Sequence, residues 1–153
     1  MKWRNWLVLA PCLLLFAGHG AAASDGIEKR SVQFAKGASS ATVKGTIKGD
    51  KTIDYALRAR AGQAMTVRLE ASNASNYFNV LPPGSTGEAI FIGSTEGNEF
   101  KGALPADGEY RIRVFLMRNS ARRGESSTFT LKVGVAGEAR PAPAADAKGK
   151  AAP

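Results

Sequence analysis

The feature that most constrains the fold of this chain is an apolar side chain at every second residue, repeated between Ser31 and Val135. Successive side chains of a β-strand point to opposite faces, so this spacing is typical of strands with one buried face. Turns that are mostly rich in glycine separate these segments, which are Val32–Phe34, Val43–Ile47, Ile53–Leu57, Met65–Ala71, Tyr77–Leu81, Ala89–Ile92, Glu99–Leu104, Tyr110–Met117 and Phe129–Val135. The sequence therefore predicts an all-β fold, an antiparallel β-sandwich of about eight or nine short strands.

The N-terminus has the three parts of a secretory signal. Lys2 and Arg4 supply positive charge, Trp6–Ala17 is a short apolar segment, and Ala21–Ala23 present small residues before Ser24. The apolar segment is too short to span a bilayer comfortably, which favours cleavage over a retained membrane anchor. We expect the protein to be exported and the signal to be removed, so that no membrane span remains.

This signal divides the chain into three parts. Residues 1–23 are the expected cleaved signal peptide, and residues 24–137 are the expected β-sandwich domain. Removal of the signal leaves 130 of the 153 residues, enough for one domain with its own core. Residues 138–153 contain alanine, proline and lysine but no large apolar side chain, so we expect a disordered tail.

Cleavage also removes the side chains on which most enzymes depend. The only cysteine, Cys12, and the only histidine, His19, both lie in the expected signal. Without them the mature chain has no thiol nucleophile and no imidazole base, and a metal site would need carboxylates alone. The acidic residues are scattered, without a calcium-loop pattern or a close carboxylate pair. We therefore predict a protein that is not an enzyme, with no catalytic residue, metal or other cofactor.

The charge of the mature chain is moderate. Loss of Lys2 and Arg4 lowers the formal net charge from +8 to +6, and the remaining basic residues alternate with acidic ones. An exported chain without a basic block or an aromatic-basic motif lacks the sequence features of nucleic-acid binders. We expect no nucleic acid among its partners.

The segment Arg118–Gly124, which follows the Tyr110–Met117 strand, contains three arginines, and we call it the arginine loop. A strand end is a rigid support, and guanidinium groups on it can bind a carboxylate or a phosphate. A single helical turn would place Arg118 and Arg122 on one side and direct Arg123 elsewhere. The alternative is a solvated loop whose arginines pair with nearby acids, namely Asp107, Glu109 or Glu125.

Two other segments are weaker candidates for a binding surface. Tyr77 precedes a double-proline turn and could belong to an aromatic platform, although Phe78 and Val80 beside it fit a core position better. Ser39 and Ser40 follow a glycine turn and could line a recognition surface, or simply form the turn of a hairpin.

Several motifs of the chain occur together in one known family. They are V-x-F-x-K-G-x-S-S-A (Val32–Ala41), G-T-I-K-G (Gly45–Gly49), A-G-Q (Ala61–Gln63), L-P-A-x-G-x-Y-x-x-R-V (Leu104–Val114) and R-N-x-A-R (Arg118–Arg122). Over about residues 30–135 the chain resembles the periplasmic inhibitors of goose-type (g-type) lysozyme from Gram-negative bacteria.

This resemblance implies a periplasmic β-sandwich that blocks the peptidoglycan-binding cleft of g-type lysozyme. It implies that Arg118 and Arg122 enter the cleft near the catalytic carboxylate and that Asn119 shapes the loop. Relatives can have an aromatic residue where this chain has Asp50, so a contact of that aromatic would be lost or replaced. Four residues are the expected secondary rim of the contact, namely Tyr77, Ser39, Ser40 and Asp50.

A second family shares part of the pattern. Y-x-L-x-A-x-x-G-Q-x-M-x-V (Tyr55–Val67) and L-P-A-x-G-x-Y (Leu104–Tyr110) are similar to pre-peptidase C-terminal sandwich modules. That similarity implies the alternative function, a module that binds carbohydrate or a cell-wall polymer.

Overall fold

The computed structural model describes residues 26–137, which form two β-sheets packed face to face. The strands are β1 (Ile27–Ser31), β2 (Ser40–Lys48), β3 (Thr52–Ala59), β4 (Ala64–Ala71), β5 (Asn76–Leu81), β6 (Phe91–Ile92), β7 (Glu99–Ala103), β8 (Gly108–Leu116) and β9 (Ser126–Ala136). Two one-turn helices join them, α1 (Gly93–Glu96) and α2 (Arg118–Arg122). Sheet A has the order β1-β3-β8-β5-β6, and sheet B has the order β2-β9-β4-β7. The predicted all-β sandwich is confirmed, whereas the predicted signal peptide and tail lie outside the described residues.

The apolar residues that alternate with polar ones in the sequence are the residues that are buried in the strands. In β8, Tyr110, Ile112, Val114 and Leu116 are buried and the residues between them are not. Strands β2, β3, β4, β5, β6 and β9 also contribute buried residues to one core, which includes Ile47, Ile53, Tyr55, Leu57, Met65, Val67, Leu69, Phe78, Val80, Phe91, Phe129, Leu131 and Val133. Phe78 and Val80 are thus core residues, as the sequence indicated.

The structure differs from the prediction at one edge of sheet A. The first strand is Ile27–Ser31, not Val32–Phe34, and it pairs with β3 in parallel rather than antiparallel. Val32 and Phe34 follow the strand and pack against the core from a loop. An edge strand with exposed side chains has no apolar alternation, so the pattern marked the loop residues instead. The predicted segment Ala89–Ile92 forms only the two-residue strand β6.

A buried carboxylate lies on the outer face of sheet A. Asp54 in β3 is only 1% exposed, and Arg113 in β8 binds it with two hydrogen bonds of 2.7 and 2.8 Å. Arg111 approaches the same carboxylate to 3.5 Å and also donates to the backbone carbonyl of Ser85. The hydrogen bond with Asp54 raises the pKa of Arg113. Fork-shaped arginine–carboxylate pairs are directional, so this cluster holds β3 and β8 in register.

Three of the connections that cross from one sheet to the other meet at one end of the sandwich, which we call the crossing end. They are the β2–β3 turn (residues 49–51), the β4–β5 turn (residues 72–75) and the β8–β9 connection (residues 117–125). The strand registers place Leu116 beside Asn76 and Lys48 beside Ser126 at this end. Inside it, the Asn76 side chain donates to the hydroxyl of Ser127 at 3.0 Å and links the two sheets.

We predict that Gly45→Ala destabilises the fold. Gly45 is the register partner of Phe129, and a Cβ at this position would lie 2.6 Å from Cζ of that ring and 3.1 Å from the hydroxyl oxygen of Tyr55. Overpacking of this kind costs about 1–3 kcal/mol of unfolding free energy. Urea denaturation measures the loss, and Gly87→Ala, where no atom lies within 4 Å of the new Cβ, is the matched control. Equal stability of the two variants would contradict the prediction.

Candidate functional site

The arginine loop begins with one turn of helix at the crossing end. Met117 keeps an extended backbone (φ −56°, ψ 145°), and its N–H donates to the carbonyl of Ser75 at 2.9 Å. The N–H of Ala121 then donates to the carbonyl of Met117 at 2.8 Å and closes the turn. Gly124 ends it with a positive φ of 67°, a conformation that glycine adopts without steric cost. The single helical turn that the spacing of the arginines required is therefore present.

This turn has an inner and an outer side. Ser120 is fully buried and Ala121 packs against the core, whereas Arg118, Asn119 and Arg122 are exposed. Residues four apart in a helix lie on the same face, so Arg118 and Arg122 point to the same side of the loop. Neither forms an ion pair within residues 26–137. The result is a pair of solvated guanidinium groups on a fixed backbone.

Asn119 lies between the two arginines, and its hydrogen bonds with residues 26–137 all stay within its own loop. Its side-chain oxygen accepts a hydrogen bond from the N–H of Ser120 at 2.8 Å. Its backbone carbonyl accepts one from the N–H of Arg123 at 3.3 Å. Such short-range bonds of asparagine stabilise tight turns.

Arg123 has a different environment from the other two arginines. Its Nε donates to the carboxylate of Glu125 at 2.6 Å, and its Nη2 donates to the hydroxyl of Ser120 at 3.1 Å. The second carboxylate oxygen of Glu125 accepts from the side-chain amide of Asn73 at 2.9 Å. Hydrogen bonds from Asn73 and then from Arg123 lower the pKa of Glu125. The alternative interpretation of the loop was that its arginines pair with nearby acids. Arg123 forms such a pair, with Glu125.

Backbone hydrogen bonds connect the same residues to the neighbouring turns. The carbonyl of Glu125 accepts from the N–H of Gly49 at 2.9 Å, and the N–H of Glu125 donates to the carbonyl of Ser120 at 3.2 Å. Glu125 therefore contacts all three parts of the crossing end, namely the β2–β3 turn, the β4–β5 turn through Asn73, and the arginine loop. Sequence reasoning named Glu125 only as a possible partner of an arginine and did not assign a role to Asn73.

The structure brings some of the predicted rim residues to this site and not others. Asp50 is exposed in the β2–β3 turn, next to Gly49, where a Cβ would lie 3.7 Å from the carbonyl oxygen of Ala121. Tyr77 is half-buried on the outer face of sheet A, two residues after the β4–β5 turn. Ser39 and Ser40 lie at the opposite end of β2, roughly 25 Å from Lys48 at about 3.3 Å per residue. These two serines are therefore not neighbours of the arginine loop.

Comparison with known proteins places this architecture in one family. No protein-family model matches the chain. An inhibitor of g-type lysozyme from Escherichia coli strain K12 is 30% identical over 105 residues, which are 67% of this chain and 77% of that protein. The crystal structure of the periplasmic inhibitor of g-type lysozyme from Aeromonas hydrophila is 46% identical, with a TM-score of 0.67, over 72% of this chain and 97% of the other. This chain belongs to the family of periplasmic inhibitors of g-type lysozyme.

The inhibitor from Salmonella Typhimurium is also similar, at 26% identity and a TM-score of 0.55, over 71% of this chain and 98% of the other. The pre-peptidase C-terminal domain of a collagenase from Bacillus anthracis has a TM-score of 0.50 at 14% identity, over 70% of this chain and 93% of that domain, and this shows a likeness of fold alone. The inhibitors of g-type lysozyme are non-enzymatic proteins, in agreement with the expectation from the sequence.

Among residues 26–137, the candidate binding groups are the positively charged side chains of Arg118 and Arg122 and not a set of metal ligands. Within residues 26–137 no three histidine, cysteine, aspartate or glutamate side chains lie together as metal ligands. None of the helices in that range is long and apolar enough to cross a membrane. Arg118 and Arg122 are suited to bind an anionic group of a partner, by charge and by hydrogen bonds.

We predict that Glu125→Gln removes an acid-sensitive part of the stability. A carboxylate whose pKa is lower in the folded state stabilises the fold fully above its unfolded pKa, and this stability is lost as the pH falls through the folded pKa. The pKa of Glu125 lies below the ordinary glutamate value of about 4.5, so the variant should be less stable at neutral pH, and the difference should shrink below about pH 4.5.

Urea denaturation between neutral pH and pH 3 measures this difference. Glu109→Gln is the control, because Glu109 is exposed and forms no ion pair with a described residue. A constant gap between Glu125→Gln and the parent across this pH range would show that the carboxylate does not stabilise the loop through its charge.

Proposed function

We propose that this protein inhibits g-type lysozyme in the periplasm, and that Arg118 and Arg122 enter the peptidoglycan-binding cleft of the enzyme. Membership of the inhibitor family supports the partner and the compartment. Export depends on residues 1–23, which lie outside the described range and have the sequence pattern of a signal. Inhibition is steric and electrostatic, without any chemical step.

The observation that carries this proposal is the position of the two arginines. Both are exposed on one side of a turn whose other face is buried and whose ends are held by Ser75 and Gly124. Glycoside hydrolases act with a pair of carboxylates, so their clefts present acidic groups. An arginine that leaves water to bind a carboxylate through two parallel hydrogen bonds is a strong binding residue, provided that the geometry is prepared.

The surroundings of the two arginines define the rest of the contact. Asn119 holds the shape of the turn through its bond to the N–H of Ser120. Asp50 and Tyr77 form the rim on two sides of the arginine loop, whereas Ser39 and Ser40 lie at the opposite end of the sandwich, outside this contact.

We predict that Arg118→Ala and Arg122→Ala each weaken inhibition of g-type lysozyme. Loss of a hot-spot arginine costs about 2–4 kcal/mol of binding, which corresponds to a roughly 30- to 1,000-fold higher inhibition constant. A turbidity assay with peptidoglycan and goose-type lysozyme measures the effect. The matched control is Arg58→Ala, since Arg58 is exposed near the opposite end of β3. If both loop variants inhibit like the parent, the arginines are not the inhibitory residues.

We predict that Arg118→Lys and Arg122→Lys restore only part of the inhibition lost in the alanine variants. Lysine keeps the positive charge but cannot make two parallel hydrogen bonds to a carboxylate. The inhibition constants should therefore lie between those of the parent and of the alanine variants in the same assay. A lysine variant equal to the parent would show that only the charge matters at that position.

One pair of assays distinguishes the proposed inhibition from the alternative function, which is binding to carbohydrate or a cell-wall polymer. The likeness to a pre-peptidase C-terminal domain concerns the fold and does not support a ligand. Inhibition of goose-type lysozyme, but not of chicken- or invertebrate-type lysozyme, supports the proposal. Co-sedimentation with peptidoglycan without inhibition of any lysozyme would favour the alternative and contradict the proposal.

A further inference from the structure

A one-turn helix is too small to be the whole interface of a stable inhibitor. Specific protein–protein interfaces cover about 800 Å² and 20–30 residues on each partner, whereas α2 contains five residues. The cores of such interfaces are enriched in aromatic residues, methionine and arginine. The contact surface must therefore continue from the arginine loop onto a neighbouring part of the molecule.

An apolar strip adjoins the arginine loop on the outer face of sheet A. Met117, immediately before α2, is 37% exposed. Its extended backbone continues the alternation of β8, so it lies on the same face as Phe115, opposite to the buried Leu116. Phe115 is half-buried, and its register partner is the half-buried Tyr77 of β5. We call Tyr77, Phe115 and Met117 the apolar strip.

The strip ends at the next row of side chains. Arg113 lies two residues before Phe115 in β8. It is paired with the buried Asp54, and its register partner is Asn79. From this charged row the strip reaches to α2, and Phe115 lies only about 10 Å along the chain from Arg118 at about 3.3 Å per residue. Strip and arginines thus form one continuous surface, apolar on one side and cationic on the other.

We infer that the apolar strip is a second contact of this protein with g-type lysozyme, beside the cleft that receives the arginines. The inference rests on the proposed function, because it assigns the same partner. Area and composition carry it, since the arginines need an adjoining apolar surface to exclude water from their ion pairs. The strip also directly continues the surface that carries the two arginines, so a partner that binds them lies against the strip.

Met117→Ser and Tyr77→Ser test the strip, with Ile90→Ser as the matched control. Ile90 is also 37% exposed, but it precedes β6, beyond the charged row. Each strip variant should raise the Kd for goose-type lysozyme about 5- to 30-fold, mainly through faster dissociation, and Ile90→Ser should leave it unchanged. The loss should be similar at low and high ionic strength, because it is not electrostatic. Thermal unfolding checks each variant, and Met117→Gln replaces Met117→Ser if the latter is destabilised.

Arg118→Ala, measured in parallel, separates the two proposals. If it weakens binding while both strip variants bind like the parent, the strip, with Tyr77 of the rim, is not a contact, and the proposed role of the arginines stands. If the parent does not bind goose-type lysozyme, both proposals are wrong. If the free protein is a dimer that Met117→Ser dissociates without a change in lysozyme affinity, the strip contacts a second copy of the chain and the inference is overturned.

Discussion

The geometry of the candidate site depends on the hydrogen bonds of one residue, Glu125. Its carboxylate holds Asn73 and Arg123, its carbonyl receives the N–H of Gly49, and its own N–H reaches Ser120. Together these four bonds reach all three parts of the crossing end, so a shift of one turn disturbs the others. The carboxylate also neutralises Arg123 and keeps that guanidinium on the loop. Arg118 and Arg122 are consequently the two cations of the arginine loop that have no partner among the described residues.

The topology of the sandwich explains why these bonds can form. The three connections of the crossing end each join one sheet to the other, so each has to span the thickness of the core. Connections that run side by side over the same edge bring their backbone N–H and carbonyl groups together, and buried groups of this kind need partners. The backbone groups of Glu125 supply partners to Gly49 and Ser120, and the side-chain bond between Asn76 and Ser127 links the two sheets beneath them. A firm end of this kind holds an exposed turn at little cost in ordering entropy on binding.

The same physics separates what the sequence predicts from what it does not. The sequence predicts the common buried face of Tyr110, Ile112, Val114 and Leu116, because apolar side chains alternate with polar ones in a strand and this alternation is visible in adjacent residues. The neighbours of a strand do not follow from it, because alternation assigns faces and not partners. The sequence therefore predicts Ser39 and Asp50 in the same rim, although β2 holds them at opposite ends of the sandwich. The sequence did not predict strand β1 or its parallel pairing with β3, because the side chains of an exposed edge strand need no apolar pattern.

The one-turn helix is the intermediate case. The spacing of Arg118 and Arg122 permits a common side only if the loop is helical. The sequence alone does not decide this, because the bond that anchors the start of the turn goes to Ser75 of a distant strand connection. Once the turn is held, the exposed arginines keep their water in the free protein and carry no internal ion pair that binding would have to break. The attraction of a partner carboxylate then has to exceed only the cost of removing that water. An apolar surface beside the arginines improves this balance, because it excludes solvent without adding a charge that must itself be desolvated.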